Sequence, residues 1–173
     1  MTNNLIIGAG LKSIRLALYF KKRNIDYEIF EKYGSIGGVF SNDFIYPDLK
    51  LHTYYKWFFL DLLAYYHPLW LKKCKNKNLS QKEVCRYLSE IVEKHNLNVK
   101  LNHEVIDILE NKNYVIITYL DNNKKIQKIK KFNKVYLPPD FTKMKEYTNS
   151  NDYNMISKHI YEDPNTPLSY SIF

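Results

Sequence analysis

Residues 4–13 read Asn4-Leu5-Ile6-Ile7-Gly8-Ala9-Gly10-Leu11-Lys12-Ser13, an apolar run that ends in two glycines one residue apart. The run predicts a buried strand, and Gly8 to Gly10 a tight turn after it. Glycine is needed where backbone turns sharply or comes close to a ligand. From Leu11 to Arg23 the apolar residues Leu11, Ile14, Leu16, Leu18, Tyr19 and Phe20 fit a helix packed on a sheet. Asn24 ends it, and Asp26 to Phe30 predicts a second strand. Strand, turn, helix and strand within about thirty residues make a βαβ unit, whose crossover is right-handed.

All five glycines lie between Gly8 and Gly38. One nucleotide-handling site near this end is therefore expected, with no later segment able to form a second loop of its kind. The first turn departs from GxGxxG only at its last position, where Ser13 stands. Gly8 permits the turn, Gly10 lets a pyrophosphate approach the backbone, and the third position needs a small residue for helix–strand packing, which serine satisfies. The helix N-terminus then offers amides and a partial positive charge to phosphates. Lys12, in the first turn, opposes the helix dipole but suits a dianionic pyrophosphate. Glu31 ends the second strand about 20 residues after the turn, where a dinucleotide fold places the carboxylate that accepts the adenosine ribose hydroxyls.

At 173 residues the chain has room for one domain with a sizeable core. A content of 45% hydrophobic and 25% charged residues is that of a globular protein, and no run has the length of a transmembrane helix. The Met1-Thr2-Asn3-Asn4 start lacks a signal peptide's basic and apolar regions, so a cytoplasmic location is expected. Cys74 and Cys85 make neither a disulfide framework nor a metal-ligand spacing, and no metal is expected. The net charge of +8 comes from dispersed lysines in a chain rich in Lys, Asn, Ile and Tyr, as an AT-rich coding sequence produces. No nucleic-acid recognition motif accompanies it, so no specific nucleic-acid partner is expected. One basic cluster, Lys124 to Lys134, falls on a hairpin edge, where lysines deter unwanted strand pairing.

Further along, the 34–70 region has weak periodicity, and loops with a short helix near 56–66 are expected. Ser80-Gln81-Lys82-Glu83 is a capping box, opening a helix to about His95 with Val84, Leu88, Ile91 and Val92 on one face. Strands follow at Asn98 to Leu101, Val105 to Leu109, Tyr114 to Leu120, Lys125 to Lys131 and Val135 to Leu137, with a turn at Asp121-Asn122-Asn123. The fold class is α/β: a Rossmann-like three-layer domain over 1–143 with a small antiparallel meander inserted, then an irregular tail over 144–173.

Glu31-Lys32-Tyr33-Gly34-Ser35-Ile36-Gly37-Gly38-Val39-Phe40 resembles the EKxxxxGGxW stretch of flavin-dependent monooxygenases of the flavin-containing and Baeyer–Villiger types. Tyr46-Pro47-Asp48-Leu49-Lys50-Leu51-His52-Thr53 is similar to that family's YPxxxLHT-like stretch near the isoalloxazine. Ser80 to Val105 looks like its helix-plus-strand segment, ending at a valine whose backbone faces the adenine. The resemblance implies FAD as cofactor, held by Gly8, Ala9, Gly10, Lys12, Ser13, Glu31, Lys32, Gly38, Val39, Phe40, His52 and Val105. It is strong from Asn4 to Thr53, fair to about Val135 and faint beyond.

Three departures stand out. Phe40 replaces a tryptophan and loses its indole donor. Pro138-Pro139-Asp140 follow Tyr136-Leu137 where the family has an alanine-threonine-glycine turn over the flavin. Asp152 to Pro164 echoes the diagnostic FxGxxxH segment only through Tyr161 and Pro164. The resemblance covers the first part of a family member, so the fold is expected to be truncated, with the NADPH site absent from this chain.

In the family's chemistry NADPH reduces the flavin, oxygen adds to it, and the adduct oxidises a nitrogen, sulfur or carbonyl substrate. This chain alone implies a partner: a reductase, or a chain supplying the NADPH domain. The alternative is a catalytically inactive, shortened relative with a nucleotide-binding or interaction role. His67, His95, His103 and His159 read as surface or packing residues, whereas His52 is a candidate for contact with the flavin ring. The aromatic block from Tyr54 to Trp70 reads as core or as substrate pocket.

Overall fold

The computed structural model describes residues 4–41 and 78–137. His52, the aromatic block, the Pro138-Pro139-Asp140 segment and the tail over 144–173 lie outside those residues. The described elements are β1 (Asn4–Ile7), α1 (Leu11–Lys22), β2 (Glu28–Phe30), a short 3-10 turn (Gly38–Phe40), α2 (Gln81–Lys94), β3 (Val99–Lys100), β4 (His103–Asn111), β5 (Tyr114–Asp121), β6 (Ile126–Phe132) and β7 (Lys134–Tyr136).

Four strands form a parallel sheet in the order β3-β2-β1-β7. The chain builds outward from β1 to β2 and β3, then returns to pair β7 on β1's other side. Strand order therefore reverses beside β1, which is where open α/β sheets place ligands at the strands' carboxyl ends. The other three strands form an antiparallel sheet, β4-β5-β6.

β1 is buried on both faces, and its alternation creates three layers. Ile6 and Ile29 point to one side, where Ile14, Ala17 and Leu18 of α1 and Leu88 and Ile91 of α2 cover them. Leu5, Ile7 and Phe30 point to the other, packing on Ile108, Ile117, Tyr119 and Phe132 of the antiparallel sheet. Each such aliphatic side chain removed from water contributes about 1.5–3 kcal/mol. The Phe30 ring is the hinge pin of the second interface. Its centroid lies 4.7 Å from that of Tyr119, 5.9 Å from Phe132 and 5.3 Å from His103.

Helix boundaries follow local chemistry. α2 opens on the expected capping box: the Glu83 amide donates to Ser80 Oγ at 3.3 Å, and the Ser80 amide donates to the Glu83 carboxylate at 2.8 Å. Asn24 and Asn96, both with left-handed φ, end the helices. The strands differ from their expected spans at the ends. β3 is only two residues long, because Asn102 turns left-handed at φ 58° and the chain enters β4 at His103. β6 begins at Ile126 rather than Lys125, since Lys125 sits at φ 52° within the hairpin turn.

β6 is an edge strand among the described residues, but two of its lysines have structural partners. Lys128 pairs with Asp121 at 2.8 Å, and Lys130 reaches Glu28 of β2 at 2.7 Å, tying the two sheets together. The Lys128 ammonium holds the Asp121 carboxyl below the usual carboxylate range.

Replacing Phe30 by Ala should destabilise the protein by about 3–5 kcal/mol, whereas Ile129→Ala on the exposed face of β6 should change it by less than about 0.5 kcal/mol. Denaturant midpoints measure both, and equal losses would contradict the layered packing described.

Candidate dinucleotide site

β1 and β2 end side by side at the carboxyl edge of the parallel sheet, and the loops that leave them come together there. Gly8 turns with φ 84°, and its amide donates to the Phe30 carbonyl at 2.7 Å, one residue beyond the ladder. The Ala9 amide then donates to Glu31 Oε2 at 2.6 Å, and the Tyr33 amide donates to Glu31 Oε1 at 3.0 Å. The Glu31 side chain is buried. A carboxylate has about four lone-pair sites, so these two backbone donors fix its orientation and leave acceptor capacity at the mouth of the turn.

Gly10 is the N-cap of α1 and provides no side-chain cap, and the first turn of the helix contains no acidic residue. The contrast with α2 is informative. There a capping box satisfies the first amides from within the chain, while α1 presents its N-terminus and positive dipole end at the sheet's edge. Lys12 is exposed in that first turn, and Ser13 is buried against the sheet, as the small third position requires.

The second glycine group docks on the first. The Gly37 amide donates to the Ala9 carbonyl at 3.1 Å. A Cβ at Gly38, whose φ is 56°, would lie 2.8 Å from Gly10 Cα, closer than real contacts allow. A Cβ at Gly10 would meet Gly38 Cα at an ordinary 3.5 Å. The two loops thus meet backbone to backbone along one edge of the sheet.

The remaining candidates lie around this centre. Lys32 is exposed and paired with Glu104 at 2.7 Å, and that carboxylate raises its pKa above the ordinary lysine value. The His103 amide donates to the Glu31 carbonyl at 2.8 Å, fixing the start of β4 to the tip of β2. Val105 follows at the irregularity in the β4–β5 register, half-buried against the second core. Val39 is 59% exposed, and Phe40 is half-buried. His103 is a packing residue, as expected, with its ring 5.4 Å from that of Tyr119. Cys85 was not among the candidates. Its thiol donates to the Phe40 carbonyl at 2.8 Å, and only helical spacing combined with the loop's docking brings these two together. Among the described residues no cluster of His, Cys, Asp or Glu could hold a metal ion, and no helix is long and apolar enough to cross a membrane.

A glycine turn, an uncapped helix N-terminus and a buried acidic residue at a parallel-sheet switch point define the FAD/NAD(P)-binding oxidoreductase fold. Residues 5–137 match the family described as pyridine nucleotide-disulphide oxidoreductase, and the chain belongs to that family. It is 30% identical over 139 residues to an uncharacterized CzcO-like oxidoreductase of Geobacillus kaustophilus, covering 78% of this chain and 38% of that one. It is similar in structure to the bacillithiol disulfide reductase Bdr of Bacillus cereus, with a TM-score of 0.65, 14% identity and coverage of 79% of this chain and 39% of that one. It is equally similar to OTEMO solved with FAD and NADP, with a TM-score of 0.65, 18% identity and coverage of 79% and 25%. Flavin monooxygenases of Stenotrophomonas maltophilia are further structural neighbours. The expected resemblance to the N-terminal part of the flavin monooxygenases is borne out. The chain spans about two fifths of the length of the curated relative.

The glycine geometry yields a discriminating pair. Gly38→Ala should destabilise the fold by about 1–3 kcal/mol, from left-handed strain and a backbone clash. Gly10→Ala, whose Cβ meets no clash, should cost less, about 1 kcal/mol, the typical loss when alanine takes an N-cap. Thermal melts compare the two, and a Gly38→Ala protein as stable as wild type would overturn the docking of the loops.

Proposed function

We propose that this chain holds FAD as the flavin-binding part of a monooxygenase-type oxidoreductase, with reducing equivalents from a partner reductase or from a chain carrying an NADPH domain. One observation carries the reading. The Glu31 carboxylate is held at the mouth of the Gly8–Gly10 turn by the Ala9 and Tyr33 amides, beside a helix N-terminus that no side chain caps.

The residues fit the cofactor. The amides at the start of α1, with Lys12, suit the diphosphate. Glu31 retains lone pairs to accept the adenosine ribose hydroxyls. Gly10 and Gly38, both without Cβ, let the two loops meet backbone to backbone beside the helix N-terminus, where the diphosphate would lie. Val39 and Phe40 continue the second loop toward the flavin half, and His52 is a candidate contact with the ring. The Lys32–Glu104 pair and Val105 border the adenine side. When bound, the flavin supplies hydride and oxygen chemistry, while the protein binds, orients and shields it.

A shortened relative that binds a nucleotide without turnover is the second reading. The Pro138-Pro139 sequence favours it, since two prolines remove amide donors where the family closes a turn over the flavin.

Titration with FAD, followed by flavin fluorescence, tests the cradle, and ADP should compete because it presents the same diphosphate and ribose. Glu31→Gln, which keeps one acceptor oxygen but loses the charge, should weaken FAD binding by about tenfold, or about 1.4 kcal/mol. A chain that ignores FAD, or a Glu31→Gln protein of unchanged affinity, refutes the proposal. Bound flavin with no oxygen uptake in the presence of NADPH and a reductase favours the second reading.

A further inference from the structure

The second glycine loop is held from behind as well as from the front. Cys85, on α2, donates its thiol proton to the Phe40 carbonyl at 2.8 Å. The same sulfur lies 2.6 Å from where a Cβ at Gly37 would be, so only glycine lets the loop come this close to α2. On its other side the loop gives the Gly37 amide to the Ala9 carbonyl and sets Gly38 against Gly10. A continuous chain of contacts therefore runs from α2, through sulfur and the loop, to the turn that ends β1. Burial pushes the Cys85 thiol above its ordinary pKa, keeping the proton on sulfur at neutral pH, where it can donate.

An independent observation marks this region for a polar ligand. Ser41, next in sequence to Phe40, is 2% exposed, and its hydroxyl is buried without a hydrogen-bond partner among the described residues. With Ser35, Ile36, Lys82 and Cys85 it lines a cavity of about 150 Å³.

We propose that Cys85 is a positioning residue for the dinucleotide site: its thiol proton, acting through the Phe40 carbonyl, sets the closed position of the 34–41 loop on the Gly8–Gly10 turn. The inference rests on the dinucleotide-binding reading for its ligand, but the clamp has a signature that needs no ligand. Coupling is reciprocal. If the thiol contact raises affinity for the dinucleotide, the bound dinucleotide slows chemical modification of the thiol.

The test uses the whole chain carrying Cys74→Ser, so that Cys85 is the sole thiol, and adds Cys85→Ala or Cys85→Ser. Hydrogen exchange at the Gly37 amide is measured without ligand, and FAD affinity by flavin fluorescence. Alanine should speed Gly37 exchange and raise the Kd for FAD, each by about tenfold, the size of one lost hydrogen bond. Serine, whose hydroxyl keeps a donor, should restore both to within about threefold of the parent. A parent rate of Gly37 exchange in the alanine variant overturns the inference. So does a serine variant as impaired as alanine, because sulfur volume rather than the proton would then be responsible.

A parent chain that ignores FAD while Gly37 exchange follows the expected pattern sinks the dinucleotide reading and leaves the clamp standing. Should the alanine variant fail to melt cooperatively, N-ethylmaleimide on the parent decides. The Cys85 thiolate adds across the maleimide double bond and the neighbouring carbon takes up a proton. Saturating FAD should slow this several-fold, and an unchanged rate overturns the inference.

Discussion

The hydrogen bond from the Ala9 amide to the Glu31 carboxylate, 2.6 Å long, joins the two strand ends on which the site depends. It carries full charge assistance in a buried setting, which makes it among the stronger kinds available to a protein. Remove the carboxylate and the buried Ala9 amide loses its acceptor, at a cost of about 1–3 kcal/mol, as does the half-buried Tyr33 amide at a smaller one. The same group that would accept the ribose under the proposed reading therefore also shapes the glycine turn.

The layers explain why that side chain is so well placed. β1 is buried on both faces, so its register is fixed from two directions, by the helices over Ile6 and by the meander beneath Leu5 and Ile7. Phe30, one residue before Glu31, is locked among Tyr119, Phe132 and His103. The His103 amide on the Glu31 carbonyl and the Lys130–Glu28 pair add further ties between β2 and the antiparallel sheet. The inserted meander thus buttresses the rim of the site from the side opposite the helices.

Much of this is legible in the residues. The apolar run before Gly8, the helical period after it and the carboxylate at Glu31 are local patterns, and the βαβ unit follows from them. The capping box at Ser80 is equally plain, because its two partners are three residues apart. What periodicity does not carry is contact between distant loops. Nothing in the spacing of Gly10 and Gly38 says that their backbones touch, or that Cys85 closes on Phe40 across 45 positions. The lysines of β6 read as an edge device, yet Lys128 and Lys130 lie on the face turned toward Asp121 and Glu28, since alternate residues of a strand face opposite sides. Strand ends depart from expectation at Asn102 and Lys125, where left-handed backbone ends pairing at residues other than glycine.

The most direct measurement is an amide NMR titration of the labelled chain with FAD. Saturable shifts concentrated at Gly8 to Ser13, Tyr33, Gly37 and Gly38, with little change along β6, are the predicted result. Shifts spread over the lysines of β6, or no saturable change at the glycine turn, would contradict the cradle formed by Glu31 and the two glycine loops.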